Sequence, residues 1–188
     1  KRLKGIKYSK TQKTTKMITS RDQAHKAMKI GIVSDTHDNI EEAQRAAKFF
    51  EGNVEKVIHC GDIIAPFTAE IFNCEFDFYA VRGNNDGEWD LKSTIGEFGE
   101  FHNNIMELEL DGLNIGVYHG TEEEIVDGLI QRNYDYLFRG HTHKRKEEVH
   151  EDTVEVNPGS IKIPGQEEKF SVAVLDTENE EINFKVFR

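Results

Sequence analysis

Hydrophobic positions follow two alternating spacings through the first part of the chain. Residues 29–33 form a short apolar run, which is typical of a buried strand. The next apolar positions recur at the i, i+3, i+4, i+7 spacing of an amphipathic helix: Ala43, Ala46, Ala47 and Phe50. Asn39 stands where it could cap this helix, with Glu42 as its capping-box partner, and Gly52 stands where the helix should end. The pattern therefore predicts a strand and then a helix.

The alternation of strand and helix continues to about residue 81, and strands dominate after it. Pro66 suits the first turn of a second helix, and Asp111-Gly112 is a strong two-residue hairpin signal. Thr121 and Glu124 form another capping-box pattern. The helix that follows would bury Ile125, Val126, Leu129 and Ile130. Further strands are predicted at 57–60, 76–81, 105–110, 113–118, 134–138, near Val149, and at 154–156, 170–175 and 182–187. This order of elements predicts an α/β fold.

Charge is distributed unevenly along the 188 residues. Residues 1–27 carry a net charge of +8, whereas residues 28–188 carry −19. We interpret 1–27 as a basic N-terminal extension that precedes one domain at 28–188, with a nucleic-acid-binding arm or a targeting segment as the alternatives. Because an acidic domain repels a phosphate backbone, bulk binding of nucleic acid by residues 28–188 is disfavoured.

Composition favours a globular protein over a membrane or disulfide-rich one. Hydrophobic residues make up 37% of the chain, and no run approaches the roughly 18 apolar residues of a membrane span. The two cysteines, Cys60 and Cys74, cannot build a disulfide scaffold. This cysteine usage favours a reducing, cytoplasmic location.

Most side chains that can bind a metal ion lie where a predicted strand ends. They are Asp35, His37, Asp62, Asn84, His119, His141 and His143. Because the carboxyl ends of neighbouring strands in an open α/β sheet meet at one crevice, we expect these side chains to lie together. Any one of these short patterns alone would more often be a polar turn, but the ordered series favours a site. The donors are too many for one ion and include no thiolate of a structural zinc site, so they fit two ions with open positions for water and substrate.

The series resembles the motif set of the calcineurin-like metallophosphoesterase superfamily, in particular its small single-domain prokaryotic phosphodiesterases. The matching motifs are Asp35-x-His37, Gly61-Asp62, Gly83-Asn84-Asn85-Asp86, His119-Gly120 and Gly140-His141-x-His143. Asn157-Pro158-Gly159-Ser160 adds to the resemblance, which spans residues 28–188 and leaves 1–27 outside. The resemblance implies an α/β fold of the four-layer α-β-β-α sandwich type, with a two-metal site at the strand ends.

The resemblance also implies which side chains each ion would take. The first ion would be bound by Asp35, His37, Asp62 and His143. The second would be bound by Asp62, Asn84, His119 and His141, so that Asp62 bridges the two. Asp62, Asn84 and His119 would be the catalytic positions. Ligation by histidine and carboxylate suits manganese, iron, nickel, cobalt or zinc better than magnesium, and we expect two divalent ions per chain, with Mn²⁺ favoured.

These implied features predict a metal-dependent phosphoesterase, and a phosphodiesterase before a phosphomonoesterase. Two ions would activate a water for attack on phosphorus, and the substrate would be a small phosphate ester. The alternative from a different class is a non-catalytic protein-binding scaffold that resembles a retromer-type subunit. The sequence leaves homo-oligomerisation and the physiological substrate open.

Residues beside the predicted ligands are candidates for substrate binding. Arg82 and Arg139 each precede a ligand position by two residues, and each could face substrate phosphate or instead pair with surface acids. Asn85 stands where many superfamily members have a histidine thought to protonate the leaving group, and an amide cannot deliver a proton. We take Arg82 and Asn85 as the candidate substrate-binding residues. His59 is expected to pack or bond beside Asp62 rather than to bind metal.

Overall fold

The computed structural model describes residues 27–160 and 170–187, which form eleven β-strands and four α-helices. The strands are β1 (Lys29–Val33), β2 (Lys56–His59), β3 (Asp77–Val81), β4 (Gly99–His102), β5 (Met106–Leu110), β6 (Leu113–Val117), β7 (Tyr136–Phe138), β8 (Lys146–His150), β9 (Thr153–Asn157), β10 (Ser171–Asp176) and β11 (Glu181–Val186). The helices are α1 (Ile40–Phe50), α2 (Pro66–Ala69), α3 (Leu91–Ile95) and α4 (Glu123–Ile130), and a 3₁₀ turn at Glu70–Phe72 continues α2. The extension predicted at 1–27 lies outside the described residues, apart from Ala27.

The strands form two sheets whose parallel parts end at the same side of the molecule. The first sheet has the order β11-β10-β1-β2-β3-β4, and its strands β1 to β4 are parallel. The second sheet has the order β5-β6-β7-β9-β8, and β6, β7 and β9 are parallel. Along the chain β8 lies between β7 and β9, and helices connect the other parallel neighbours, so the loops after β1, β2, β3, β6 and β7 lie at carboxyl ends of the sheets.

Four layers result from the way the sheets and helices bury their apolar faces. The inner faces of the two sheets meet through a buried cluster that includes Ile32 and Ile58 of the first sheet and Val117 and Phe138 of the second. A second cluster joins the first sheet to α1, and a third joins the second sheet to α4. The predicted α-β-β-α sandwich is thereby confirmed. Among the described residues, no helix is both long and apolar enough to cross a membrane.

Local signals for helix starts and turns are confirmed at two places. The Asn39 side chain accepts a hydrogen bond from the Glu42 N–H over 3.3 Å at the start of α1, whereas the Glu42 carboxylate pairs with Arg45. Only the first half of the capping box therefore forms. Asp111 and Gly112 adopt φ values of 52° and 72° between β5 and β6, which is the left-handed pair that a tight hairpin requires.

Two other local predictions are wrong or incomplete. The helix predicted to be capped by Thr121 begins at Glu123, because the Tyr118 hydroxyl accepts the Glu122 N–H over 3.3 Å and fixes the turn one residue later. Of the predicted apolar stripe, Val126 and Leu129 are buried, whereas Ile125 is 40% exposed. The pattern also does not predict α3 or β4, since β4 is a short edge strand that forms by parallel pairing with β3.

Candidate metal centre

Two loops of the first sheet carry the predicted aspartate ligands. Asp35 and His37 follow β1, and Asp62 follows β2. The N–H of Asp35 donates to the carbonyl of Gly61 over 3.0 Å, and the N–H of His37 donates to the carbonyl of Asp62 over 3.1 Å. These bonds continue the parallel pairing of β1 and β2 beyond the strands, so they hold the two loops side by side.

Two loops of the second sheet carry the predicted histidine ligands. His119 follows β6, and His141 and His143 follow β7. The N–H of Gly140 donates to the carbonyl of His119 over 2.9 Å. The N–H of His141 donates to the Asp35 carboxylate over 3.1 Å, which joins the loops of the two sheets. Both sheets therefore contribute to one crevice.

A first group of side chains surrounds Asp35. The Nε2 atom of His143 lies 3.2 Å from Nε2 of His37 and 3.2 Å from Oδ1 of Asp35. The Nε2 atom of His37 lies 3.6 Å from Oδ2 of Asp62 and 3.7 Å from Oδ1 of Asp35. The four side chains therefore point their donor atoms at a common space.

A second group of side chains surrounds Asn84. Its Oδ1 atom lies 3.1 Å from Nε2 of His119 and 3.0 Å from Nδ1 of His141. The Nε2 atom of His119 lies 3.4 Å from Oδ2 of Asp62, so Asp62 contacts both groups. All seven predicted ligands lie in one cluster. Which ion each of them binds stays a prediction.

The Asp35 carboxylate shows that the cluster fits a cation. Asp35 is fully buried, and its Oδ1 atom has no hydrogen-bond partner among the described residues. In the part of the chain that the structure describes, Asp35 and Asp62 form ion pairs only with histidines. Burying two carboxylates without a fixed cation is costly, and a bound divalent ion would remove that cost.

The pKa values of these groups follow from burial and from their mutual contacts. Burial alone would raise the pKa of Asp35, but the close imidazoles of His143 and His37 outweigh it and hold the pKa well below its ordinary value. At Asp62, too, burial would raise the pKa, but contacts with His119 and Asn85 outweigh it and lower the pKa to about 2. Asp62 raises the pKa of His119 against burial, and the close carboxylate of Asp35 raises the pKa of His143. Both carboxylates are therefore held ionised, as metal ligands must be.

The loops of the cluster adopt unusual backbone conformations. Left-handed φ values occur at Asp35 (55°), His37 (44°), Asp62 (59°), Ile64 (84°), His141 (65°) and His143 (60°). Such values are uncommon outside glycine and tend to concentrate at functional sites. Gly83 must also be a glycine, because a Cβ there would overlap Oδ1 of Asp62. The local backbone is thus adapted to the position of the ligands.

A family model described as the calcineurin-like phosphoesterase superfamily domain matches residues 28–180 of the chain. The chain belongs to this superfamily. A protein named as a phosphodiesterase from Methanocaldococcus jannaschii is 36% identical over 165 residues, which cover 82% of this chain and 96% of the relative. The resemblance inferred from the motifs is therefore confirmed.

Solved structures have the same fold as this chain. One described as a novel archaeal phosphodiesterase gives a TM-score of 0.78 at 35% identity, and the match covers 85% of this chain and 100% of that one. Vps29 from Entamoeba histolytica gives a TM-score of 0.62 at 18% identity, over 86% of this chain and 100% of that one. At the lower identity, the likeness concerns the fold alone.

The two candidate substrate-binding residues, Arg82 and Asn85, lie in the loop after β3. Asn85 donates from its main-chain N–H to Oδ1 of Asp62 and from its side-chain amide to Oδ2, both over 2.8 Å. Arg82 is exposed, and its Nε atom donates to the carbonyl of Asp86 over 2.9 Å. Asn85 therefore contacts the cluster directly, whereas the side chain of Arg82 bonds to Asp86, which in turn accepts the N–H of Asp62.

Arg139 does not face the crevice. It is only 2% exposed, and its guanidinium donates to Glu123 over 2.8 and 2.9 Å and to Glu155 over 3.4 Å. It also donates to the carbonyl of Gly120, the residue after His119, over 3.3 Å. Of the two predicted alternatives, Arg139 therefore pairs with acids rather than facing the substrate. Its bond to the Gly120 carbonyl supports the loop after β6.

His59 lies under the loops and bonds to them without joining the ligands. Its Nδ1 atom accepts the N–H of Gly61 over 3.2 Å, so its proton is on Nε2, which lies 3.2 Å from the hydroxyl of Thr36. Burial lowers the pKa of His59 to about 3, which keeps the ring neutral. His59 therefore holds the loop between Asp35 and His37 against the loop that contains Asp62.

The supporting roles of two residues, Asn157 and Asp86, are not predicted by sequence reasoning. The Asn157 side chain donates to the carbonyl of Gly140 over 2.7 Å and to the Thr142 hydroxyl over 3.0 Å, so it holds the loop after β7. Asp86 accepts main-chain N–H groups from two ligand-bearing loops. Both lie inside motifs that carry the resemblance, but nothing in an Asn-Pro-Gly turn or an Asn-Asn-Asp turn reveals these distant partners.

A third cluster of acids and histidine lies on the second sheet. Glu148, His150 and Glu155 could together offer three ligand atoms to a metal. Lys146 already occupies this place, since its ammonium lies 2.7 Å from Glu148 and 2.9 Å from Glu155. This cluster is therefore an ion-pair network within the chain rather than a metal site.

Proposed function

We propose that this protein is a phosphodiesterase that depends on two divalent metal ions, with manganese favoured. The observation that carries the proposal is that Asp62 contacts both groups of ligand side chains. One carboxylate shared by two groups is the arrangement that a two-ion phosphoesterase requires. Membership of the phosphoesterase superfamily and the likeness to proteins named as phosphodiesterases support the same reaction.

Each side chain of the cluster has a distinct proposed role. Asp35, His37 and His143 would hold the first ion, and Asn84, His119 and His141 the second, with Asp62 shared. The ions, when bound, would supply an activated water and neutralise phosphoryl oxygens. Histidine ligands favour manganese and later transition metals over magnesium.

Arg82 and Asn85 are proposed to contact the substrate. Arg82 is exposed and bonds to the carbonyl of Asp86, in the loop that carries Asn84, and an exposed arginine suits a phosphate oxygen. The Asn85 amide faces the bridging carboxylate and has no proton to give to a leaving group. We therefore expect nitrophenyl esters to be cleaved readily and alkyl esters slowly.

Hydrolysis of bis-p-nitrophenyl phosphate tests the proposed reaction. The protein should turn over this diester with Mn²⁺, Ni²⁺ or Co²⁺ and should lose activity in EDTA. Faster turnover of p-nitrophenyl phosphate than of the diester would favour the phosphomonoesterase alternative. No turnover with any of the three metals would contradict the proposal and favour the binding-scaffold alternative.

A substitution at position 85 tests the leaving-group expectation. Asn85→His should accelerate alkyl esters more than nitrophenyl esters, since general-acid help is worth about 10²–10⁴-fold and matters most for poor leaving groups. Asn183→His, on an exposed position of β11, is the matched control and should change neither rate. Wild-type rates that do not depend on the leaving group, with chemistry rate-limiting, would show that another acid is present.

A further inference from the structure

Asp86 bonds to the main chain of two loops that carry predicted ligands. Its Oδ2 atom accepts the N–H of Asp62 over 3.0 Å and the N–H of Gly83 over 2.7 Å. Its Oδ1 atom accepts the N–H of Ile64 over 2.7 Å. Asp86 is only 3% exposed, so these bonds form away from bulk water. A charged acceptor that binds three amides in such a place makes strong hydrogen bonds.

These bonds support a backbone that would otherwise be unfavourable. Asp62 and Ile64 both have left-handed φ values, of 59° and 84°, and a β-branched residue rarely adopts them. Unusual conformations of this kind persist where surrounding contacts compensate for them. The Asp86 carboxylate supplies that compensation by accepting the N–H groups of the same two residues.

The side chain of Asp62 is oriented through the same loop. Its two oxygens accept the N–H and the side-chain amide of Asn85, which lies between Asn84 and Asp86. Asp86 in turn fixes the Gly83 end of this loop. The loops after β2 and β3 are therefore joined in both directions. Asp86, in the loop after β3, binds the backbone of the loop after β2, and Asp62, in the loop after β2, binds the backbone of the loop after β3.

We propose that Asp86 is a positioning residue whose carboxylate sets the placement of Asp62 relative to Asn84, and thereby the affinity of the metal centre. The inference rests on the proposed function, because it concerns the ions that the seven side chains would bind. Asp86 is buried and accepts from the main chain, so it is not assigned as a proton donor to the leaving group. Outer residues that orient metal ligands typically change metal affinity about 10–100-fold when they are replaced.

The test compares Asp86→Asn with Glu88→Gln. Asp86→Asn keeps the shape of the side chain but turns one accepting oxygen into a donor that faces an N–H group. Glu88 lies two residues further along the same loop and is exposed, so Glu88→Gln removes the same charge without these bonds. Binding of Co²⁺ is measured by calorimetry and by its visible absorption spectrum. Amide hydrogen exchange of residues 62, 64 and 83 is measured by NMR in the metal-free proteins.

Asp86→Asn should bind Co²⁺ at least about tenfold more weakly, with an altered spectrum, and its three amides should exchange at least about tenfold faster. Glu88→Gln should stay within about twofold of the wild type in both measurements. A folded Asp86→Asn protein with wild-type affinity and spectrum would overturn the proposal, as would an equal loss of affinity in Glu88→Gln.

Hydrogen exchange separates failure of this proposal from failure of the proposed function. If the wild type binds no ion, the proposed function fails, whereas unchanged exchange in metal-free Asp86→Asn refutes the role of Asp86. If Asp86→Asn does not fold, amide hydrogen exchange of residues 62, 64 and 83 in the metal-free wild type tests the role of Asp86 instead. The three amides lie outside every strand and helix, so slow exchange supports the bonds to Asp86 and exchange as fast as in exposed loops refutes them.

Discussion

Two buried carboxylates of this molecule, Asp35 and Glu155, have opposite electrostatic surroundings. Glu155 is 1% exposed and lies 3.4 Å from the guanidinium of Arg139 and 2.9 Å from the ammonium of Lys146. Asp35 is fully buried and, among the described residues, forms ion pairs only with His37 and His143. One carboxylate is neutralised by permanent cations of the chain, and the other by side chains that are charged only when protonated.

This difference separates a structural ion network from a candidate metal centre. Both regions contain acids and histidine at distances that a metal could use. At Glu155 the chain itself provides the positive charge, so the network is complete without an ion. At Asp35 and Asp62 the charge is incomplete unless protons or metal ions are bound. Ligand-type residues alone therefore do not identify a site, and the source of the compensating charge does.

The largest expected effect is the loss of activity in Asp62→Asn. Replacing the shared carboxylate with a neutral amide should lower kcat/KM at least about 1,000-fold, because two-ion stabilisation is worth several kcal/mol and each 1.36 kcal/mol is tenfold in rate. Metal analysis should find both ions lost, whereas Asp35→Ala and His119→Ala should lose mainly one. Asp135→Asn, an aspartate that accepts the N–H of Asn114, is the control and should keep both. Two tightly bound ions in Asp62→Asn would refute the bridging role.

The next effect concerns stability and belongs to the other cluster. Glu155→Gln should lower the free energy of unfolding by about 3 kcal/mol, because it leaves the buried Arg139 with one of its two acidic partners. Urea unfolding of the metal-free protein measures this. Metal content and kcat should stay at wild-type values in the folded fraction. Glu148→Gln, at an exposed partner of Lys146, should change stability much less. Loss of metal in Glu155→Gln would remove the distinction between the two clusters.

His119 and His143 should contribute to the stability of the metal-free and the metal-loaded protein with opposite dependence on pH. The pKa values of His119 and His143 are raised from 6.5, so their protonated forms stabilise the metal-free fold. That stabilisation is present below pH 6.5 and is lost as pH rises through the higher pKa of the folded state. Metal binding instead requires neutral histidine, so its contribution grows with pH.

Thermal unfolding from pH 6 to pH 8 checks this expectation. As pH increases, the Tm with Mn²⁺ should rise relative to the Tm in EDTA, by about 2–4 °C for each kcal/mol at this chain length, and the buried neutral His59 should add the same pH dependence to both curves. Arg139 and Lys146 keep their charge over this range, so the Glu155 network should contribute equally to both curves. Parallel profiles with and without metal would contradict the prediction.

The smallest effect is expected from removing residues 1–27. A variant that starts at Met28 loses a charge of +8 but keeps all seven predicted ligands and the Glu155 network. Its kcat/KM should therefore lie within about twofold of the value for the full chain. Its metal content should agree within about one-tenth of an ion, and its Tm within about 2 °C. A folded variant that no longer hydrolyses bis-p-nitrophenyl phosphate would show that the segment acts in catalysis.

Sequence patterns predict this fold where burial repeats over several residues. The strand at 29–33 is recognisable because both of its faces are buried, and the helix around Phe50 is recognisable because its apolar positions all face one core. β4 is not, since its residues are mostly half-exposed and it is held by pairing with β3. The cap at Thr121 fails for a similar reason, because a neighbouring tyrosine determines where the helix begins.

The clustering of the site is predictable for a different reason. Each of the seven side chains stands at a strand end, and parallel strands bring such ends together whatever the detailed packing. The supporting roles of Asp86, Arg139 and Asn157 depend on partners 16 to 24 residues away. No local spacing encodes such pairs, so only the folded structure reveals that Arg139 faces acids and that Asp86 faces amides.

The contribution of both sheets to one crevice has a consequence for metal selectivity. Asp35 and His143 follow strands of different sheets, so an ion bound by both would depend on the distance that separates the sheets. That distance is fixed by the packing of residues such as Ile58 and Phe138. A close-packed core resists expansion by even a fraction of an ångström, and ions of different radius demand different spacings. If the proposed ions bind, the preference for one metal over another would therefore depend partly on apolar side chains that never contact the ion.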